Sequence, residues 1–239
     1  MSQFSRHGNA LAEQMLSRAI EVDPHLSRAY ARMAFVSFQN AFMRYTADIA
    51  TATENARRYA EHSLSLQPRD PFGNFMMGRC HWLENDPEGS KQWFGYSIGA
   101  SPNYTWGYYG ASWADVFTEN FGSAMESADR AIDLSPIDPF RPGMTGNKMW
   151  VYIAQGDYAS AVKWAEIAAR TPWAHAGMAI FAAMSHWLNG DAAKAQFWKV
   201  EALRRNPDLQ KQHVCGLVSS SNSMITKLLT DVTVKLEIG

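Results

Sequence analysis

Small and apolar side chains return along this chain in a fixed register with proline. Twelve and five residues before Pro24 stand Ala12 and Ala19; before Pro68, Ala56 and Ser63; before Pro102, Ser90 and Ser97. Ala124 and Ala131 keep the same distances from Pro136, and Ala195 and Ala202 from Pro207, while Ala161 and Ala168 fit Pro172 with an offset of one. A separation of seven puts both members of a pair on one helix face. Side chains of that size let a neighbouring helix approach to about 8–10 Å. Proline then closes each helix, because it lacks the N–H to continue and disfavours α conformation in the residue before it. Pro68, Pro102 and Pro136 are 34 residues apart, and Pro172 and Pro207 follow after 36 and 35. Pro24 precedes Pro68 by 44, so that unit carries about ten extra residues, expected near Met43 to Thr53.

The turns inside the units agree with this reading. Gly156-Asp157 and Gly190-Asp191 read as a glycine ending one helix and an aspartate capping the next. Asp86-Pro87-Glu88 reads as N-cap, proline in the first turn and an acid near the positive helix end. Each unit is expected to run helix A, tight turn, helix B, proline turn. The crowded stretch Ser135 to Gly146 predicts a longer, stiffer connection before the fifth A helix, as a bend rather than a hinge.

A period of 34 with these helices resembles the tetratricopeptide-repeat (TPR) family. Met77-Gly78 with Phe94 and Pro102, and Tyr108 with Ala124, Ala131 and Pro136, carry the resemblance best, and it covers about residues 10–207. It implies an all-α fold, an α-α superhelix (TPR solenoid) of about six helical pairs with the first incomplete. The first unit offers only a B-type helix, about Leu11 to Val22, whose apolar face (Leu11, Met15, Leu16, Ile20) lacks an A-helix neighbour. Either it caps the array on the second unit alone, or an upstream element belongs with it. Residues 208–239 are expected to form a capping helix and a tail. Ser219 to Ser223 reads as a loop, Met224, Ile225, Leu228, Leu229 and Val232 as a helix face, and Thr233 to Ile238 alternates like a strand.

Three phrases narrow the resemblance: Val22-Asp23-Pro24, Leu134-Ser135-Pro136-Ile137-Asp138-Pro139-Phe140-Arg141, and Ala154-Gln155-Gly156-Asp157-Tyr158. They look like the C-terminal TPR regions of bacterial class III adenylate cyclases and winged-helix transcriptional regulators. That resemblance implies a regulatory or sensing part of a signalling or transcription-regulating protein.

Composition removes several other classes. Formal net charge is −1, and Lys and Arg are scattered, so direct nucleic-acid binding is not expected. No apolar run nears the ~20 residues of a membrane span, and Met1 to Asn9 is polar without a signal-peptide core. Cys80 and Cys215 stand far apart without metal spacing, which fits reduced core thiols in the cytoplasm. Seven histidines show no metal spacing, and there is no phosphate loop or nucleophile elbow. No metal, no cofactor and no enzymatic activity are therefore expected; His81 and Glu84 on one helix face read as structural.

Nine Trp, nine Tyr and twelve Phe supply the remaining signal. In a TPR array, A helices tend to line the concave side. The ninth A-helix position then brings Phe35, Arg79, Trp113 and Trp150 to that wall, and the twelfth adds Trp82 and Trp187. Trp106 and Tyr109 join from the fourth unit, and Asn147 is a further candidate. Aromatic and Arg side chains supply most binding hot spots, so a protein or peptide partner is expected in this groove. The same aromatics can equally be core. A carboxylate clamp built on Arg79, Asn147 and Lys148 is incomplete. The alternative function is a small-molecule sensor taking an apolar or aromatic ligand, which needs an enclosed pocket of about 300–1,000 Å³. Self-association into a homodimer through the first helix or the tail is a third reading.

Overall fold

A computed structural model of the chain describes residues 5–172, 174–210, 214 and 224–237. Its helices are α1 (Arg6–Val22), α2 (Ser27–Phe42), α3 (Ile49–Leu66), α4 (Pro71–Leu83), α5 (Pro87–Ala100) and α6 (Thr105–Phe117). They continue as α7 (Phe121–Leu134), α8 (Arg141–Ala154), α9 (Tyr158–Arg170), α10 (Ala176–Leu188), α11 (Ala192–Arg205) and α12 (Met224–Lys235). The chain forms two compact units, residues 1–111 and 112–239, with α6 beginning in the first and ending in the second. In the first, α2 pairs with α3 and α4 with α5; in the second, α8 pairs with α9 and α10 with α11. The all-α repeat of helical pairs is as expected, preceded by the lone B-type helix α1.

The register of small residues becomes the seam of each pair. Ala56, Ala60 and Ser63 are buried on α3, Ala124, Ala128 and Ala131 on α7, and Ala161, Ala165 and Ala168 on α9. Serines in the seam close a second account, since each buried hydroxyl needs an acceptor. Ser90 Oγ donates to the Gly78 carbonyl at 3.0 Å, Ser97 Oγ to that of Pro71 at 2.8 Å, and Ser112 Oγ to that of Ala124 at 2.7 Å. B helices bury only this stripe. A helices are enclosed on nearly every side: on α4 every residue from Phe72 to Cys80 is buried. A helix apolar all round loses its 3.6-residue signal, which is why the seam spoke more clearly in the sequence than the core did.

One seam position holds a large ring instead of alanine. Phe94 is fully buried on α5, and Gly78 on α4 and Gly110 on α6 make room for it. A Cβ at Gly110 would fall 2.5 Å from the Phe94 ring, and one at Gly78 would collide with the same ring. Gly78→Ala is therefore expected to destabilise the first unit by about 1–3 kcal/mol through overpacking, despite alanine's better helix propensity. Phe94→Leu should recover part of that loss in the double variant. Additive effects in a double-mutant cycle would show that the ring and the glycines do not share one space.

Turn chemistry also follows the sequence. Gly156 and Gly190 take the left-handed conformation at φ +74° and +82°, and Asp157 and Asp191 cap the next helices by accepting from Ser160 N and Lys194 N, both at 3.0 Å. Arg44, Asn85 and Glu119 hold the left-handed position in the other turns. Asp86 caps α5 from Gly89 N at 2.8 Å, with Pro87 in the first turn.

Several expectations are corrected. The extra ten residues of the second unit do fall about Met43 to Thr53, though not as a loop alone. They are spread over α2 (16 residues against 13 in α4), the turn at 43–48, and α3 (18 residues against 14 in α5). The connection at 135–140 is longer than those at 67–70 and 101–104, as expected, but it stops short of Gly146, because Pro142, Gly143 and Gly146 already belong to α8. Proline in the first turn loses no hydrogen bond, so it starts that helix. The first helix begins at Arg6, capped by Ser5, rather than near Leu11. Thr233 to Lys235 is helical and not strand-like, since Ile225, Leu229, Val232 and Leu236 share one buried face at helical spacing. The loop expected at Ser219 to Ser223, together with Cys215 and Ile238, lies outside the described residues.

The last helical pair carries an acid-sensitive clamp. Glu201 accepts from Arg204 Nε at 2.7 Å and Arg205 Nε at 2.8 Å, and Arg205 Nη1 donates to the Ala169 carbonyl at 3.0 Å, tying α11 to the end of α9. Hydrogen bonds from Arg204 and then Arg205 hold the Glu201 carboxyl down at about 2, against 4.5 unperturbed. A carboxyl depressed in the folded state contributes stability that is complete above its unfolded pKa and disappears as pH falls through the folded one. Thermal stability should thus decline between about pH 4.5 and 2, and Glu201→Gln should flatten that limb. An unchanged acid limb in the variant would assign the decline to other carboxylates.

Candidate functional site

The aromatic positions read from the sequence separate into two environments in the first unit. Arg79 lies in an aromatic cage and is only 2 % exposed. Its guanidinium carbon sits 3.9 Å from the Phe38 ring centre, 4.1 Å from Trp82 and 5.4 Å from Phe42, with Phe75 and Tyr109 both at 5.8 Å. Burial pushes the Arg79 pKa down, and the charge and hydrogen bond of Tyr109 act against it. Its Nε and Nη1 are buried without a hydrogen-bond partner. Ring faces attract a desolvated cation by about 2 kcal/mol, yet a buried charge without a counter-ion costs several kcal/mol. Among the described residues no ion pair offsets the Arg79 charge. Trp82 and Tyr109, at 5 % and 7 %, are walls of it.

The second environment is a stripe along the A helices. Phe35 of α2 stacks on Trp106 of α6 at 6.3 Å and 23°, and both meet Phe72 of α4, at 6.4 and 5.6 Å. Phe35 and Trp106 are half-buried, whereas Phe72 is covered. Arg28 and Arg32 lie over the Phe72 ring at 5.7 and 5.0 Å. Arg28 also pairs with Asp70 at 2.7 Å, whose carboxylate caps α4 from Gly73 N at 3.2 Å. Arg32 is exposed and forms no ion pair among the described residues. Sequence reasoning missed Arg28, Arg32 and Phe72. Arg28, Phe72 and Trp106 share the second position of successive A helices, so the repeat register held the signal that only Trp106 was taken from.

In the second unit the candidates are mostly interior. Trp113 packs on Phe117 at 4.8 Å, Trp150 on Phe181 at 5.0 Å, and Asn147 is buried. Trp187 is half-buried on the last turn of α10. Lys148, the third clamp candidate, is engaged otherwise: Nζ reaches Asp129 Oδ1 at 2.5 Å and lies 3.9 Å from the Trp164 ring centre. His81 bonds Asp86 at 2.9 Å rather than facing Glu84, which pairs with Arg57. Buried His186 bonds Glu166 at 2.9 Å. Cys80 is buried, and desolvation pushes its thiol up to about 12, far from a reactive thiolate. Among the described residues no cluster of His, Cys, Asp and Glu fits a metal ion, and no helix is long and apolar enough to cross a membrane.

No family model matches the sequence, and no curated protein matches it. Solved structures do share its fold. A thermophilic TPR protein of Thermus thermophilus superposes with a TM-score of 0.60 at 17 % identity, over 72 % of this chain and 92 % of that one. PilW, a widely conserved type IV pilus biogenesis factor, gives 0.62 at 15 % identity over 87 % and 90 %. A chain of the APC/C hetero-tetramer Cut9–Hcn1 gives 0.69 at 12 % identity, over 96 % of this chain but 46 % of that one. At such identities the likeness concerns architecture alone, and that architecture is a TPR-like α-solenoid of paired antiparallel helices.

Proposed function

We propose that this chain is a non-catalytic protein–protein interaction scaffold whose first unit takes a peptide along the stripe of Phe35, Phe72 and Trp106. The observation that carries this reading is the set of half-exposed rings, Phe35 and Trp106, beside exposed Arg32, which forms no ion pair among the described residues. Stacked aromatics offer apolar area at little entropic cost, and an exposed arginine selects for negative charge. The preferred peptide is therefore apolar or aromatic with an acidic residue. Arg79 and its cage lie on the same A helices and supply positive charge behind the stripe. Of the remaining groove candidates, half-buried Trp187 belongs to the same proposal for the second unit, with Trp113, Asn147 and Trp150 as packing beneath that surface.

The narrower reading is that the array forms the regulatory part of a bacterial cytoplasmic signalling or transcription-regulating protein. The Leu134 to Arg141 phrase and its two companions support it.

A displayed library of random peptides tests the reading on the full chain. Enrichment of aromatic–acidic peptides is expected, and Phe35→Ala with Trp106→Ala should remove it while helical content stays unchanged. Added salt should weaken capture, since one arm of recognition is charge. No enrichment, or enrichment indifferent to the double variant, would overturn the site.

A further inference from the structure

The C-terminal helix α12 is not a member of the four described pairs. It packs on α8 and α10, which are both A helices of the second unit. Ile225, Leu229, Val232 and Leu236 face inward, at most 5 % exposed, while Met224, Val234, Lys227 and Lys235 face out. Positions i, i+4, i+7 and i+11 form a single apolar stripe of an amphipathic helix. A helix laid by such a stripe onto an apolar helical surface is a recognised mode of ligand capture. Here the chain supplies the helix itself.

We propose that α12 is a resident ligand of the α8–α10 face, and that the partner of the second unit is an amphipathic helix of the same apolar spacing that displaces it. This rests on the scaffold reading but concerns a different face from the Phe35–Trp106 stripe. The occupant seated on the surface defines the chemistry required: branched aliphatic side chains at i, i+4 and i+7, with a polar opposite face. Attachment to the same chain gives α12 an effective concentration of roughly millimolar. A free helix of equal intrinsic affinity therefore binds the intact chain weakly, and a variant with α12 released much more tightly.

The probe is a synthetic peptide of residues 224–237, titrated by fluorescence anisotropy against the full chain and against Leu229→Asp. Binding to the variant is expected to be at least about tenfold tighter than to the unaltered chain. Equal affinity for both, or no binding to a variant that keeps its helical signal, overturns the proposal. Hydrogen exchange on the unaltered chain is the second measurement, since Leu229→Asp can also unfold α8 and α10. Amides of α12 should exchange at least about tenfold faster than those of α8 and α10, as a separately opening element. Equal protection would make α12 part of the core and sink the idea whatever the variant does. Neither readout involves the first unit, so failure of the peptide stripe leaves this test intact, and the reverse.

Discussion

Trp150→Ala should lower the stability of the chain by about 3–5 kcal/mol, the range for deleting a large buried ring. Trp150 is 3 % exposed and its indole meets Phe181 edge-on at 67°, so α8 and α10 lose a shared contact as well as buried area. Met149, Ile180 and Met184 on the same two helices are themselves fully buried. For a chain of this size the melting temperature should fall by about 10 °C. Each unit of a repeat array leans on its neighbours, so α9 and α11 should loosen with it. Circular dichroism against temperature reads the effect. A fall below about 1 kcal/mol would assign the ring's energy to ligand contact instead.

Arg79→Met should act in the opposite direction. Methionine keeps the length of the side chain and its place against Phe38 and Trp82, and removes a charge that forms no ion pair among the described residues. Replacing buried ionic groups with apolar ones of similar volume often stabilises by about 1–4 kcal/mol, and the lost cation–π attraction of about 2 kcal/mol sets the other limit. The net expectation is a gain near 2 kcal/mol by urea denaturation, together with weaker capture of acidic peptides. A loss of stability would mean that the rings hold the guanidinium more strongly than water does, and that Arg79 is an anchor of the fold.

These two residues mark where sequence reading reached its limit. Arg79 and Trp150 each stand seven residues before the aspartate that caps the next helix, Asp86 and Asp157, and that register survives in the structure. Register fixes which residues stand in line along successive helices. It does not fix whether the line faces solvent, because A helices are enclosed on most sides and the apolar period vanishes there. Phe35 stays half-exposed at the same helix position where Arg79 and Trp113 are buried. The stripe with Arg28, Arg32 and Phe72 was legible in principle, since Arg28, Phe72 and Trp106 repeat at the second helix position.

Much of the local architecture was determined by the sequence alone. Small residues at a spacing of seven, closed by proline, mark helix seams, and glycine–aspartate pairs mark turns that end one helix and cap the next. Both are short-range effects of sterics and backbone hydrogen bonding. Tertiary structure decided what short-range rules do not reach. Phe94 fits its seam because Gly78 and Gly110, distant in sequence, leave space for one ring. Thr233 to Lys235 abandons a strand-like alternation because α8 and α10 offer an apolar surface that rewards helical spacing. Burial of a side chain is a property of everything around it, so the sequence names the residues and the packing assigns their surroundings.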